Sequence, residues 1–518
     1  MRYINKKAGQ NNETKTAPID LPISKSLQDN IDALSTLLTG CSDVVMKPFT
    51  FGQEVKVDGF LIYFDGLADR REVEENILKS LTVELNMIPQ DELSQVNVFD
   101  YLQQHLVTMA ELKTLASIQE VCEHISSGDT VLLVNGFDRG LVAGTRSWQT
   151  RPIDAPENEV VIFGPKEGFT ETLRFNTAML RRRIKSSNFK MEHMVMGRIT
   201  KTDVIIGYID GIVPPAMLEE VKQRLGMIDI DGVLDTEYLA EFIADHRTTI
   251  FSQFEHTEKV DRVCAHVLEG RIFIMVDGSP MVLVLPVSFP RYWLAPEDYY
   301  IHFIPASLFR LLRFTAFCIA LLLPSLYVAV ISYHHEMIPT ALLLTIVAAR
   351  QGVPFPAFVE ALLLEATFEL LREAGLRLPR AIGPAVSIVG ALIIGDAAVR
   401  AGLVSTPMVV IVAFTGIASF VTPSYNAGVI VRIARFAFLV AAGVLGLLGI
   451  MIALIIMLIR MVSLSSFGLP YMEPIAPFNW REMSDILLRR PWYRTIRRPY
   501  MDGMQNIVRQ KSKENTGG

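Results

Sequence analysis

The chain is poor in cysteine, poor in catalytic signatures and, from 314 to 462, poor in charge. Only four cysteines occur in 518 residues (Cys41, Cys122, Cys264, Cys318), and none forms a CxxC pair. That excludes a standard zinc site and a disulfide framework, and it suits small, reduced core residues. No GxxxxGK[ST], GxGxxG or HExxH pattern is present. Gly136 and Gly140 follow a strand-like run, but Asn135-Gly136 reads as a hairpin turn rather than a phosphate cradle. His334-His335-Glu336 lacks the second zinc-binding His, and His256, His266 and Glu269 match no ligand spacing, so they read as solvated helix residues. No Ser, Cys or His sits in a nucleophile signature. The expectation is a protein that is not an enzyme, with no metal and no cofactor. A net charge of −6 argues against nucleic-acid binding. The polar start, residues 1–25, has no apolar stretch of the kind a secretory signal needs.

What is present is sharply partitioned. Residues 1–313 hold 32 Lys and Arg against 44 Asp and Glu. Residues 314–462 hold 8 basic and 6 acidic groups and no Lys, and residues 463–518 hold 9 basic and 5 acidic groups. The pattern predicts a polar leader over 1–58, an acidic cytoplasmic α/β head over 59–310, a polytopic α-helical membrane domain over 311–462 and a short basic cytoplasmic tail over 463–518.

Four full spans are expected, at 314–332, 382–403, 408–421 and 436–459. The first has 19 uncharged residues, enough to cross ~30 Å of hydrocarbon. Its Pro324 would cost ~3 kcal/mol in a soluble helix and is better tolerated in a membrane. Arg310 and Arg313 place its start on the cytoplasmic side, and the tail arginines return the chain to that side. Residues 338–371 read as an interfacial or re-entrant hairpin, because Glu360, Glu365 and Glu369 would each cost at least ~2 kcal/mol in lipid. This arrangement puts Arg372, Arg377, Arg380, Arg432 and Arg435 on the outer side, against the positive-inside tendency.

In the head, strand patterns over 60–64, 130–135, 159–163 and 203–209 alternate with helical patterns over 72–81, 170–184, 214–225 and 236–246. Such alternation predicts two α/β subdomains with partly parallel sheets, divided near 153–158. Asp277-Gly278 marks a hairpin between 271–276 and 281–287. Arg181, Arg182 and Arg183 end a helix, where they either complement its dipole or dock an acidic neighbour or lipid headgroups.

Gly164-Pro165-Lys166-Glu167-Gly168-Phe169, leading to Asn176 and Leu180-Arg181-Arg182-Arg183-Ile184, resembles the A subunits of bacterial spore germinant receptors. So do Leu268-Glu269-Gly270-Arg271, Val276-Asp277-Gly278, Glu297-Asp298-Tyr299-Tyr300 and Glu336-Met337-Ile338-Pro339-Thr340. Gly352-Val353-Pro354-Phe355-Pro356, the run Leu371 to Pro379, Ser466-Phe467-Gly468 and Pro470-Tyr471 complete the match, which covers roughly 160–500. Glu258-Lys259-Val260-Asp261-Arg262 departs from the family pattern, which has a Pro before the Asp, and Gln also occurs in the family at the position of Asp396. The resemblance implies a subunit of a nutrient-sensing complex in the spore inner membrane. Its partners would be a transporter-like B subunit and a C-subunit lipoprotein, and it would form a homo-oligomer that opens as a nutrient-gated channel for monovalent cations. It also leaves room for a non-channel sensing or scaffold subunit, or for an accessory homologue without its own germinant-binding partner.

Within the membrane block, Gly383, Gly390 and Gly395 are suited to close helix packing. Asp396 and Arg400 stand four apart and can pair. Ser387, Asp396, Thr415 and Ser419 are the ion-path candidates, since carboxylates and hydroxyls can replace hydration. Glu336, Pro339, Glu365, Glu369 and Arg372 are candidates for a gate or subunit contact. Residues 436–459 read as an outer, lipid-facing helix.

Overall fold

The computed structural model describes residues 21–51, 56–79, 112–146, 163–377 and 393–510. The boundary expected at 153–158, nearly all of the strand expected at 159–163 and the first half of the span expected at 382–403 lie outside them. The described residues fall into two compact units. One takes those within Met1–Ile153, Thr170–Met194 and Asp203–Asp210; the other takes those within Asp154–Phe169, Val195–Thr202 and Gly211–Gly518.

The first unit is built on α1 (Leu27–Leu37), β1 (Val44–Phe51), β2 (Val57–Phe64), β3 (Leu112–Leu115), α2 (Ile118–Ser126), β4 (Thr130–Val134) and β5 (Gly140–Ala143). The strands run in the order β1-β2-β4-β5-β3, and every pairing is antiparallel. Partly parallel sheets were the expectation from strand–helix alternation. A parallel pair needs a crossover of a dozen or more residues, whereas β1–β2 and β4–β5 are joined by short links. Asn135-Gly136 is one of those links, with Gly136 at φ 91°.

Along β2, Phe60, Ile62 and Phe64 enter one core with Leu34, Val121 and Ile125, while Leu61 and Tyr63 enter a second with Val73 and Ile77. Both faces are covered, which is why β2 reads as a continuous apolar run. The leader expected over 1–58 is corrected by α1 and β1. Ser26 caps α1 by accepting from Asp29 N, and Leu27 and Leu34 are buried. β1 carries Lys47 and Pro48, residues suited to its place at the sheet edge. Those polar and Pro residues hid the strand. The unit also contains α3 (Leu173–Arg183) and most of β6 (Phe189–Met196) and β7 (Thr202–Ile209).

The second unit continues with α4 (Pro215–Gly226), α5 (Thr236–Ile243), β8 (Glu255–Thr257), α6 (Val260–Leu268), β9 (Ile272–Val276) and β10 (Val282–Leu285). β10 pairs antiparallel with both β9 and β8, and the β9–β10 turn holds Gly278 at φ 90°. The helices α7 (Phe303–Tyr333), α8 (Thr340–Arg350), α9 (Ala357–Arg377), α10 (Thr406–Phe420) and α11 (Tyr425–Ser463) follow. The short hairpin of β11 (Ser465–Ser466) and β12 (Leu469–Pro470) and then α12 (Trp480–Leu487) come last.

Among the described residues, two helices are long and apolar enough to cross a bilayer, Phe303–Tyr333 and Asn426–Ser463. α8 and α10 are apolar but shorter. At 1.5 Å per residue α7 is about 46 Å long, well beyond a ~30 Å hydrocarbon layer. Phe317, Ala320, Leu321, Phe438, Ala442 and Ile450 share the core formed where α7 and α11 pack. Val440, Val444, Leu448, Ile455 and Ile459 leave the other side of α11 apolar and exposed.

Candidate functional site

On α9, residues 365 and 369 are separated by about 40° around the helix axis, but 360 lies about 140° or more from both. The three carboxylates therefore do not share a face. Glu365 pairs with Arg435 of α11 at 2.5 Å, with each side chain 1% exposed. One turn on, Glu369 lies 3.4 Å from Arg372 and 3.5 Å from Arg432. Glu360, on the other side, accepts from both N and Oγ of Ser405 at 2.5 Å, and Arg350 stands 3.7 Å from its second oxygen. Ser405 is the N-cap residue immediately before α10, so this carboxylate sits at the positive end of a helix dipole.

These contacts give the α9 carboxylates partners within their own chain. Arg372, Arg432 and Arg435, which stood against the charge rule, pair with Glu365 and Glu369. The network is not saturated. Glu365 Oε1, Arg435 Nε and Arg435 Nη2 are buried and have no hydrogen-bond partner. Buried groups of that kind point to a functional or wetted site more often than to a stability device.

Arg372 lies between two rings, 5.0 Å from that of Phe368 and 4.9 Å from that of Phe420, and donates to Ser419 Oγ at 2.7 Å. Ser419 donates in turn to Gly416 O, and Thr415 to Ile411 O. A Cβ on Gly416 would fall 2.5 Å from the Phe368 ring, so the close approach of α9 to α10 requires that glycine. Asp396 and Arg400 do pair, at 2.7 Å, and both are exposed. A Cβ at Gly395 would meet nothing within 4 Å, so this glycine makes no close helix contact among the described residues. Glu336 and Pro339 are exposed at the turn before α8. Ser387, Gly383 and Gly390 lie outside the described residues.

Sequence reasoning missed a break in α11. Gly446 has φ 62° and ψ −138° inside what reads as an uninterrupted apolar helix. Tyr333, the last residue of α7, donates its hydroxyl to the carbonyls of Gly443 and Val444, at 2.6 and 3.2 Å. Carbonyls freed by a break in an apolar helix need such a donor. A Cβ at Gly446 would lie 3.0 Å from His334 and 3.1 Å from Tyr333. The 443, 446, 449 glycine spacing was the available signal.

The family-like motifs outside the bundle are anchors. Asp298, fully buried, takes Arg310 Nε at 2.9 Å and Arg313 Nη1 at 2.8 Å, which fixes the start of α7. Arg310 also donates to the Asp485 carbonyl, within the tail. Ser466 donates to Gln253 O and accepts from Val287 N, and Phe467 N donates to Asp245 Oδ2. Burial alone would raise the Glu255 carboxyl, but Arg262, His266 and Arg271 hold it well below the usual carboxylate range. His266 thus pairs with Glu255, and His256 with Glu237.

In the first unit, Arg181 is corrected as a docking residue. It is 1% exposed, forks onto Asp43 at 2.7 and 2.9 Å, donates to Phe189 O and lies 4.3 Å from the Phe64 ring. The 3.6-residue period turns it inward while Arg183 stays exposed and Arg182 half-buried.

Comparison with known proteins agrees with the motifs. The family described as Bacillus/Clostridium GerA spore germination protein matches residues 32–501, reaching into the stretch expected to be a leader. The chain is similar to the uncharacterized membrane protein YfkQ of Bacillus subtilis (strain 168), with 41% identity over 93% of this chain and 92% of that protein. It is likewise similar to spore germination protein KA of Bacillus subtilis (strain 168), with 41% identity over 94% of this chain and 89% of the relative. A crystal structure of the N-terminal domain of the A subunit of the Bacillus megaterium spore germinant receptor GerK3 is 29% identical over 52% of this chain and 98% of that domain, with a TM-score of 0.42. With the match running through both units and the anchoring motifs alike, the chain belongs to the Bacillus/Clostridium GerA spore germination protein family.

Proposed function

We propose that this chain is the A subunit of a spore germinant receptor, held in the spore inner membrane by a helical domain of four full spans, with head and tail facing the cytoplasm. It works beside a transporter-like B subunit and a C-subunit lipoprotein. Several copies assemble around a wet path through which monovalent cations leave. The observation that supports this reading is the buried, unsaturated Glu365–Arg435 pair in a largely apolar helix block. Intramembrane charges of that kind mark ion paths more often than lipid contacts. Ser387, Asp396, Thr415 and Ser419 remain the path candidates.

The test is potassium flux across vesicles reconstituted with the full chain and its receptor partners. Bulky replacements at Thr415 and Ser419 should abolish nutrient-triggered flux. Unchanged flux in every such variant removes this path, and no flux in the wild type removes the channel.

A second reading, a non-channel sensing or scaffold subunit, draws on a different observation. The Thr415 and Ser419 hydroxyls already donate to backbone carbonyls of their own helix. Germination restored in cells by a variant that conducts nothing in vesicles would favour it.

A further inference from the structure

In the second unit, a cleft of about 810 Å³ opens between the segment running from Glu269 to Tyr299 and the C-terminal stretch from Leu469 to Arg509. Its size is that of a small-molecule site. Seven arginines and four carboxylates line it. Glu269 already engages Arg291 at 2.7 Å and reaches Arg509 at 3.9 Å, and Arg498 donates to Leu268 O. Arg271, Arg490, Arg494 and Arg497 make no ion pair among the described residues. Arg271 is 2% exposed, and its buried Nη1 has no hydrogen-bond partner. A buried cation with an unused donor is costly unless a further anion meets it.

We propose that this cleft binds a small multivalent oxyanion of the phosphate type, with Arg271 at its base and Arg490, Arg494 and Arg497 closing over it. Geometry favours phosphate over a planar carboxylate. The arginines come from separate stretches around the cleft, and a tetrahedral group offers acceptors in all those directions. Burial and then Arg291 pull the Arg271 guanidinium down to about 10, while burial and then Glu482 push the Glu473 carboxyl up to about 7. The first shift is that of a cation buried beside a second cation, and the second that of a carboxyl buried beside another carboxylate, which lessens the negative charge Glu473 sets against an incoming anion. An occupant would tie the C-terminal stretch to the β9 side of the same unit. The inference does not depend on whether the helices conduct ions.

The same chemistry can come from a soluble phosphate compound or from a phospholipid headgroup, and calorimetric titration of pyrophosphate separates the two. The full chain is placed in phosphatidylcholine nanodiscs and, in parallel, in discs containing phosphatidylglycerol. Saturable binding at one site per chain in the first is expected. Equal affinity in both discs identifies a soluble ligand, and at least tenfold weaker binding in the second identifies the headgroup; either supports the site. Arg494→Gln with Arg497→Gln, both partly or wholly exposed, should leave the fold intact and weaken binding at least tenfold, and Arg271→Gln should do the same. Glu473→Gln should bind as tightly as wild type or tighter at pH 8. No saturable binding in phosphatidylcholine discs, or wild-type affinity in the Arg494/Arg497 variant, overturns the proposal.

Discussion

The Glu365 carboxylate and the Arg435 guanidinium meet at 2.5 Å, on α9 and α11, with 1% of either side chain exposed. Removing one partner leaves an uncompensated buried charge, which costs about 3–5 kcal/mol, whereas replacing both by apolar residues of similar size is often neutral or better. Glu365→Ala should therefore lower thermal stability in detergent sharply. Glu365→Leu with Arg435→Leu should return it to the wild-type value or above. If that double variant conducts nothing in vesicles while remaining stable, the pair serves permeation rather than folding. A double variant as unstable as the single one contradicts the account of the pair.

At Gly446 the backbone occupies a region that L side chains rarely adopt, and the space beside it is filled by Tyr333 and His334. Gly446→Ala should cost about 1–3 kcal/mol through strain. In an unbroken helix the same change would gain about 1 kcal/mol. The sign of the shift in unfolding temperature decides between the two. Tyr333→Phe, which removes the hydroxyl shared by the Gly443 and Val444 carbonyls, should speed hydrogen exchange at residues 446–448 and leave the rest of α11 protected.

Residues whose signal is local were legible before the structure. Asn135-Gly136 and Asp277-Gly278 make their turns from their own chemistry, and β2 announces itself by an apolar run. What the sequence hid depends on partners far along the chain. β1 looks polar because its Lys47 and Pro48 suit a sheet edge, and an edge is a property of the sheet rather than of the strand. Glu360 and Glu365 look alike on α9, yet one meets the beginning of α10 and the other Arg435, 70 residues away. Arg181 and Arg183 are two positions apart in one basic cluster, and only helix phase separates a core ion from a surface one.

That phase has a measurable consequence. Arg181 combines a fork onto Asp43 with a Phe189 carbonyl and a ring contact, a set that Lys cannot reproduce. Arg181→Lys should destabilise the protein by about 1.5–3 kcal/mol. Arg183→Gln, on the exposed side, should change stability by less than about 1 kcal/mol. Equal losses at the two positions would mean that Arg181 does not face the core.

Glu473 links the tail to pH. Burial, and then the neighbouring Glu482, push its carboxyl from the usual 4.5 up to about 7, against the pull of Arg291 and Arg271. A carboxyl in this condition binds its proton more tightly in the folded chain than in the unfolded one. Its stabilising contribution is complete below about 4.5 and is lost as pH rises through about 7. Glu269 runs the other way. Burial favours its neutral form, but Arg291 and Arg271 hold it at about 2, so its contribution is complete above about 4.5 and is lost as pH falls from there through about 2. Between pH 5 and pH 8, then, Glu269 stays charged and Glu473 alone of the two titrates. Across that interval the wild-type chain should lose unfolding temperature, or gain less of it, relative to Glu473→Gln. A Glu473→Gln profile parallel to wild type would place the titrating group elsewhere and return Glu473 to an ordinary exposed carboxylate.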